Sequence, residues 1–126
     1  VNMSAKKKLL VIDDDPAICL SVKAVFDANG FETAHALSGK EGLDVFRKFD
    51  PDIVLCDMMM EDLDAGAKVA KAIREMGKTV PVFLLSSIGD ATAETVSFGQ
   101  LGFSGIFQKP VNFDLLLAVV GRLGKS

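Results

Sequence analysis

Short apolar runs alternate along the chain with longer segments in which apolar residues recur every three or four positions. Residues 9–12 and 53–56 are apolar at every position, which is typical of strands buried on both faces. Three further strands are predicted at Phe31–Ala36, at 81–85 and at Gly105–Gln108. Because these runs are too short for helices, they predict a largely buried sheet of five strands.

Helix signals fill the segments between these strands. Asp15 is a natural N-cap before Pro16 at the first helical position, and Ser38 with Glu41 forms a capping box for a second helix. Three more helices are predicted around residue 69, from about 90 to 98, and after residue 112. Five strands alternating with five helices predict an α/β protein with a doubly wound, flavodoxin-like parallel sheet, strand order 2-1-3-4-5, and helices on both faces.

Length and composition indicate a single globular domain, which we expect to cover residues 4–124. The chain has 126 residues, of which 49% are apolar and 25% charged, as in ordinary packed proteins. Its net charge of −3 provides no basic surface, so direct nucleic-acid binding by this chain is not expected. No apolar run approaches the ~20 residues that span a membrane, and we expect a cytoplasmic protein without membrane contact.

Chemically reactive side chains follow four of the five predicted strands. Asp13 and Asp14 follow the first strand, Asp57 the third, Ser86 the fourth and Lys109 the fifth. In a sheet of order 2-1-3-4-5 these four strands are neighbours, and their carboxyl ends lie at one edge. The sequence therefore predicts one patch in which three carboxylates, a hydroxyl and an ammonium group meet.

This combination of groups suits phosphoryl transfer. Three neighbouring carboxylates repel one another, and a divalent cation would relieve that repulsion. Oxygen ligands without nearby His or Cys favour Mg²⁺, with Mn²⁺ as a substitute. We therefore expect Asp57 to be the nucleophile that forms an aspartyl-phosphate, Lys109 to neutralise the phosphoryl charge, and Ser86 to donate a hydrogen bond to a phosphoryl oxygen.

Four short motifs, LLVIDDDP, PDIVLCDMMM, PVFLLSS and FQKP, occur in the order and spacing of one family. Together they resemble the receiver domain of bacterial two-component response regulators over essentially the whole chain. The resemblance implies that Asp13 and Asp14 hold Mg²⁺ together with Asp57 and the backbone carbonyl of Met59. It also implies that Asp57 takes phosphate from the phosphohistidine of a sensor histidine kinase or a histidine phosphotransfer protein. A downstream effector or output domain would then read a face formed by the fourth helix, fifth strand and fifth helix.

Three positions depart from the pattern of that family. Glu61 stands where relatives usually have proline, and Ala65 where they have glycine, one residue before Gly66. We therefore expect the loop after the phosphoacceptor to be more acidic and more mobile. Ile106 stands where relatives commonly carry an aromatic ring that turns inward during signalling. Phe107 should point to the opposite face by strand alternation, so the sequence does not predict a ring-flip switch.

Three other functions fit parts of the sequence. In a haloacid-dehalogenase-type phosphatase, Asp13 and Asp15 would form the DxD motif with Asp13 as nucleophile, but Ala17 stands where that motif has Thr or Val. A flavin-binding electron carrier is disfavoured, because no phosphate-binding loop follows the first strand and the chain has no Trp or Tyr. A receiver that has lost phosphorylation and acts only by docking stays open. A phosphorylated receiver would catalyse its own phosphorylation and dephosphorylation without being a turnover enzyme.

Overall fold

Five strands and four helices make up the described part of the chain, which in this computed structural model comprises residues 6–58, 60, 65–86 and 104–123. The strands are β1 (Lys7–Ile12), β2 (Phe31–Ala36), β3 (Ile53–Asp57), β4 (Val82–Ser86) and β5 (Gly105–Gln108). The helices are α1 (Pro16–Ala28), α2 (Gly39–Phe49), α3 (Ala65–Glu75) and α4 (Phe113–Leu123). The short helix predicted at about 90–98 lies outside the described residues. None of the described helices is both long and apolar enough to cross a membrane.

All five strands pair in parallel in one sheet of order β2-β1-β3-β4-β5, which confirms the predicted topology. The order reverses between β1 and β3, the point at which doubly wound sheets place their ligand sites. Ile12 pairs with Cys56 across this point, so Asp13 leaves β1 at the level of Asp57. The register therefore brings the acidic ends of the two strands together.

Side chains of the sheet alternate between two apolar layers, one on each face. The layer under α2 and α3 includes Leu10, Ile12, Phe46, Val54, Ile73 and Leu84. The layer under α1 and α4 includes Leu9, Val11, Phe26, Leu55, Leu116 and Val120. Ile106 packs against the first layer and Phe107 against the second, as strand alternation predicts.

The helix starts predicted at Asp15 and Ser38 are confirmed, whereas the bounds of β1 and β4 differ from those predicted. The Asp15 carboxylate accepts a hydrogen bond from the Ala17 N–H at 2.9 Å, and the Ser38 hydroxyl accepts one from the Glu41 N–H at 3.1 Å. β1 begins at Lys7, two residues earlier than predicted, because its polar start still pairs with β2. β4 lies one residue further along the chain than predicted, because its last residue pairs with β5.

Candidate functional site

Three carboxylates meet at the carboxyl-terminal edge of the sheet. Asp13 follows β1 directly, Asp57 ends β3, and Asp14 lies in the turn before α1. One oxygen atom from each of the three lies within 4.8 Å of the other two. Asp13 is fully buried and Asp57 is 6% exposed, whereas Asp14 is exposed to solvent. The predicted acidic cluster is therefore assembled, with two buried carboxylates and one at the surface.

The two oxygens of the Asp13 carboxylate have different surroundings. Oδ1 accepts a hydrogen bond from the Asp15 N–H at 2.9 Å, which fixes the orientation of the side chain. Oδ2 is buried and has no hydrogen bond among the described residues. It lies 3.0 Å from Nζ of Lys109, within ion-pair distance. Oδ2 is thus a buried, negatively charged atom, and Lys109 is the one cation that the described residues place against it.

Lys109 brings its ammonium group between the two buried carboxylates. Its Nζ lies 3.0 Å from Asp13 Oδ2 and 3.4 Å from Asp57 Oδ1. Burial alone would lower the pKa of the Lys109 ammonium, but contact with Asp13 and the charge of Asp57 outweigh it and raise that pKa above 10.5. The lysine therefore stays charged at any physiological pH. The Lys109–Pro110 peptide bond, which turns the chain after β5, is cis.

Ser86 lies at the same edge of the sheet, at the end of the strand next to Asp57. It is the last residue of β4 and only 1% exposed. Its backbone carbonyl accepts a hydrogen bond from the Lys109 N–H at 2.7 Å, which ties the residue after β5 to β4. Met59, whose carbonyl the family resemblance assigns to the metal, lies outside the described residues, as does Glu61.

The donor set of this cluster fits a hard divalent cation. Three carboxylates against one ammonium group leave two formal negative charges at the site. All the clustered ligands are oxygen atoms, and no His or Cys of the described residues belongs to the cluster. The buried Oδ2 of Asp13, which accepts no hydrogen bond from the described residues, is available as a ligand. These features suit Mg²⁺, which prefers carboxylate oxygens and retains several waters.

Gly66 supports the Asp57 backbone, a role that the sequence pattern did not reveal. Its N–H donates to the Met58 carbonyl at 3.0 Å. A Cβ atom at this position would lie 2.8 Å from the Asp57 carbonyl oxygen and 2.9 Å from Met58 Cα and Leu84 Cδ2. Only glycine fits this approach of α3 to β3. The sequence did show a glycine directly after Ala65, where relatives usually have glycine one position earlier. Only the packing shows that residue 66 is the one that contacts the backbone of β3.

Cys19 is a second residue whose role near the site was not predicted. Its thiol is 1% exposed and lies 3.4 Å from the backbone carbonyl oxygen of Asp13. Burial, together with the negative charge of Asp13, raises the pKa of the Cys19 thiol to about 11. The group therefore stays a protonated hydrogen-bond donor at neutral pH. Sequence spacing could not show this contact, because it depends on how α1 packs against the end of β1.

The doubly wound sheet and the acidic cluster at its edge are the features of receiver proteins. Comparison with known proteins gives the same class. Residues 9–121 match the family model of the response regulator receiver domain, so the chain belongs to that family. The response regulator MprA of Mycolicibacterium vanbaalenii is 33% identical over 111 residues, which are 88% of this chain and 47% of that protein. The MprA of Mycobacterium avium is 32% identical over 88% of this chain and 48% of its own length. The chain thus spans about half the length of the curated relatives it matches.

Solved structures show the same fold. The receiver domain of the Francisella response regulator 1452 is 32% identical, with a TM-score of 0.82 over 94% of this chain and 97% of that one. The response regulator TrrA of Thermotoga maritima, solved in complex with Mg²⁺-BeF, is 29% identical, with a TM-score of 0.79 over 93% of this chain and 98% of that one. The predicted family and its two-component signalling class are confirmed. Mg²⁺-dependent phosphorylation of an aspartate is the standard function of this class.

Proposed function

We propose that Asp57 is the phosphoacceptor of this receiver and that Asp13, Asp14 and the Met59 carbonyl hold Mg²⁺ beside it. The observation that carries the proposal is the convergence of three carboxylates within 4.8 Å, with Lys109 against both buried members. A structural ion pair would need one carboxylate for one lysine. The surplus of two negative charges instead suits a bound cation.

The proposed reaction transfers a phosphoryl group from a phosphohistidine to the Asp57 carboxylate. An oxygen of the Asp57 carboxylate bonds to the phosphorus of a phosphohistidine, the P–N bond breaks, and its electron pair returns to the imidazole nitrogen. Bound Mg²⁺ would neutralise phosphoryl oxygens and align them for this attack. Lys109 would stabilise the negative charge from the other side, and the Ser86 hydroxyl would donate to a phosphoryl oxygen.

The proposal extends to the proteins that phosphorylate and read this receiver and to its place in the cell. The phosphodonor is a sensor histidine kinase or a histidine phosphotransfer protein, both of which present a phosphohistidine. The phosphorylated state is read by a downstream effector or by an output domain joined to this receiver, through a face that includes β5 and α4. The chain itself makes no contact with nucleic acid or membrane and acts in the cytoplasm, with receiver bounds at 4–124. Mn²⁺ would replace Mg²⁺, since both prefer oxygen ligands.

Mass spectrometry after incubation with acetyl phosphate tests the proposal. With Mg²⁺ or Mn²⁺ we expect one phosphoryl adduct that maps to Asp57 and is absent without a divalent cation. Asp57→Asn should abolish the adduct. Asp44→Asn should not, because Asp44 is an exposed aspartate of α2 that pairs only with Arg47 among the contacts described. Beryllofluoride, a mimic of the phosphoryl group, should bind under the same conditions.

Other outcomes would support the alternatives. An adduct on Asp13, or steady turnover of a small phosphate ester, would contradict the receiver chemistry and favour a phosphatase. Absence of any adduct, together with unchanged spectra on addition of Mg²⁺ and beryllofluoride, would favour a receiver that works by docking alone.

A further inference from the structure

The thiol of Cys19 occupies the junction of three elements beside the metal site. Cys19 lies in the first turns of α1, and its Sγ is 3.4 Å from the carbonyl oxygen of Asp13 and 3.9 Å from that of Ala36. The Asp13 N–H donates to the same Ala36 carbonyl at 3.1 Å. The thiol therefore touches the ends of both β1 and β2, and no other described element separates it from the acidic turn.

The Asp13 carbonyl is the first backbone acceptor beyond the paired part of β1. The strand ladder between β1 and β2 ends at Ile12 opposite Ala36, so this carbonyl lies past the last ladder position. A buried carbonyl without a donor is costly, and the Cys19 S–H supplies one. The carbonyl belongs to the peptide unit that joins Asp13 to Asp14. The hydrogen bond to this carbonyl therefore fixes the orientation of the peptide plane that lies between the Cα atoms of Asp13 and Asp14, from which the two carboxylate side chains extend.

The carboxylate of Asp13 shows why that plane matters. Its Oδ1 is held by the Asp15 N–H, which leaves the buried Oδ2, to which no described residue donates a hydrogen bond, for a cation. A rotation of the Asp13–Asp14 peptide unit would move Oδ2 and the Asp14 carboxylate together. Groups that orient metal ligands in this way commonly change metal affinity when they are replaced.

We propose that Cys19 is a positioning residue for the metal site: its thiol holds the Asp13 carbonyl and so sets the geometry of Asp13 and Asp14 for Mg²⁺. The inference rests on the proposed Mg²⁺ site. It concerns hydrogen bonding alone, and no step of the phosphoryl transfer passes through the sulfur. A serine at this position keeps a donor, whereas an alanine removes it.

Amide NMR of uniformly labelled protein tests this, with MgCl₂ titrated into wild type, Cys19→Ala and Cys19→Ser. We expect Cys19→Ala to weaken Mg²⁺ binding about threefold to tenfold, at or below the low end of the effect of outer-shell partners because S–H is a weak donor. In the metal-free protein the same variant should speed hydrogen exchange of the Asp15 amide, whose partner is the Asp13 carboxylate. Cys19→Ser should bind Mg²⁺ within about twofold of wild type.

Val22→Ala is the matched control, because Val22 is fully buried one turn further along α1 and its side chain carries no polar group. It should lower the unfolding midpoint without changing Mg²⁺ affinity or exchange at Asp15. Equal losses in Val22→Ala and Cys19→Ala, or wild-type affinity in Cys19→Ala, would overturn the inference, as would a serine variant as weak as the alanine one. If Cys19→Ala does not fold, Cys19→Val, which keeps the bulk without a donor, replaces it. Wild-type protein that fails to bind Mg²⁺ would instead refute the proposed metal site.

Discussion

Replacing Lys109 with methionine removes the only cation that the described structure places against the buried carboxylates. The alkyl chain is nearly conserved, so the main loss is electrostatic. Breaking a buried ion pair by removing one partner costs about 3–5 kcal/mol. The Lys109 side chain is 18% exposed, which favours the lower limit of about 3 kcal/mol. For a domain of this size that corresponds to a drop of roughly 10 °C in Tm.

Magnesium should reverse much of this loss. In wild type the ammonium lies 3.0 Å from Asp13 Oδ2, which is a proposed metal ligand, so the lysine and the cation repel each other. A doubly charged ion about 5 Å from a unit charge is opposed by ~1.5 kcal/mol even at the dielectric constant of water. Lys109→Met should therefore bind Mg²⁺ roughly tenfold more tightly than wild type. The stability gap between the two proteins should shrink as Mg²⁺ is added.

Urea unfolding followed by far-UV circular dichroism, with EDTA and with saturating MgCl₂, measures both effects. Lys78→Met is the control, because Lys78 is an exposed lysine 3.5 Å from the exposed Asp50 carboxylate. Its loss should stay within about 0.5 kcal/mol and should not depend on Mg²⁺. The reasoning is refuted if Lys109→Met loses no more than Lys78→Met, or if its loss is the same in EDTA and in MgCl₂.

Three further outcomes are expected. Gly66→Ala should lose about 1–3 kcal/mol of unfolding free energy in urea, since its Cβ meets the Asp57 carbonyl oxygen at 2.8 Å, whereas Gly121→Ala in α4 meets nothing within 4 Å and should be neutral or stabilising. Ser38→Ala should cost about 1 kcal/mol in the same assay, because it removes the N-cap of α2. Because the pKa of Lys109 is raised on folding, the charged lysine stabilises the folded state fully below its ordinary pKa of 10.5, and this stabilisation is lost as pH rises through the higher folded pKa. The free energy of unfolding of wild type should therefore fall more steeply in this alkaline range than that of Lys109→Met.

The sequence was sufficient to predict the strand order and which strand ends carry reactive groups. Continuous apolar runs identified the central strands, and the register then brought Asp13 and Asp57 to one level without further information. Asp15 and Ser38 marked helix starts because a capping side chain acts within its own turn. Such features depend on neighbours in sequence or on the period of a strand, and both can be read from a single chain.

Contacts between distant segments could not be predicted in this way. Lys109 was expected to act on the phosphoryl group, yet the shortest described contact of its ammonium group is with Asp13 at 3.0 Å, against 3.4 Å for Asp57. Gly66 is required by the backbone of β3, which it approaches from the start of α3. Cys19 contacts the end of β1 only because of the packing of α1. Each depends on distances between elements that no local pattern encodes.

The charge at the sheet edge indicates how phosphorylation would reach β5. Conversion of the Asp57 carboxylate to an aspartyl-phosphate, an acyl phosphate, would replace one negative charge with about two beside Lys109. The ammonium would then move from Asp13 toward the phosphoryl oxygens, because that is where the larger charge lies. Lys109 directly follows β5, so this movement would pull on the strand that carries Ile106. Ile106 packs opposite Leu84 in the layer under α2 and α3, and Phe107 is already engaged with Phe83 on the other face, with ring centroids 5.5 Å apart. A change in β5 on phosphorylation would therefore propagate through backbone displacement and aliphatic packing, since no aromatic ring of β5 faces the layer that Ile106 packs against.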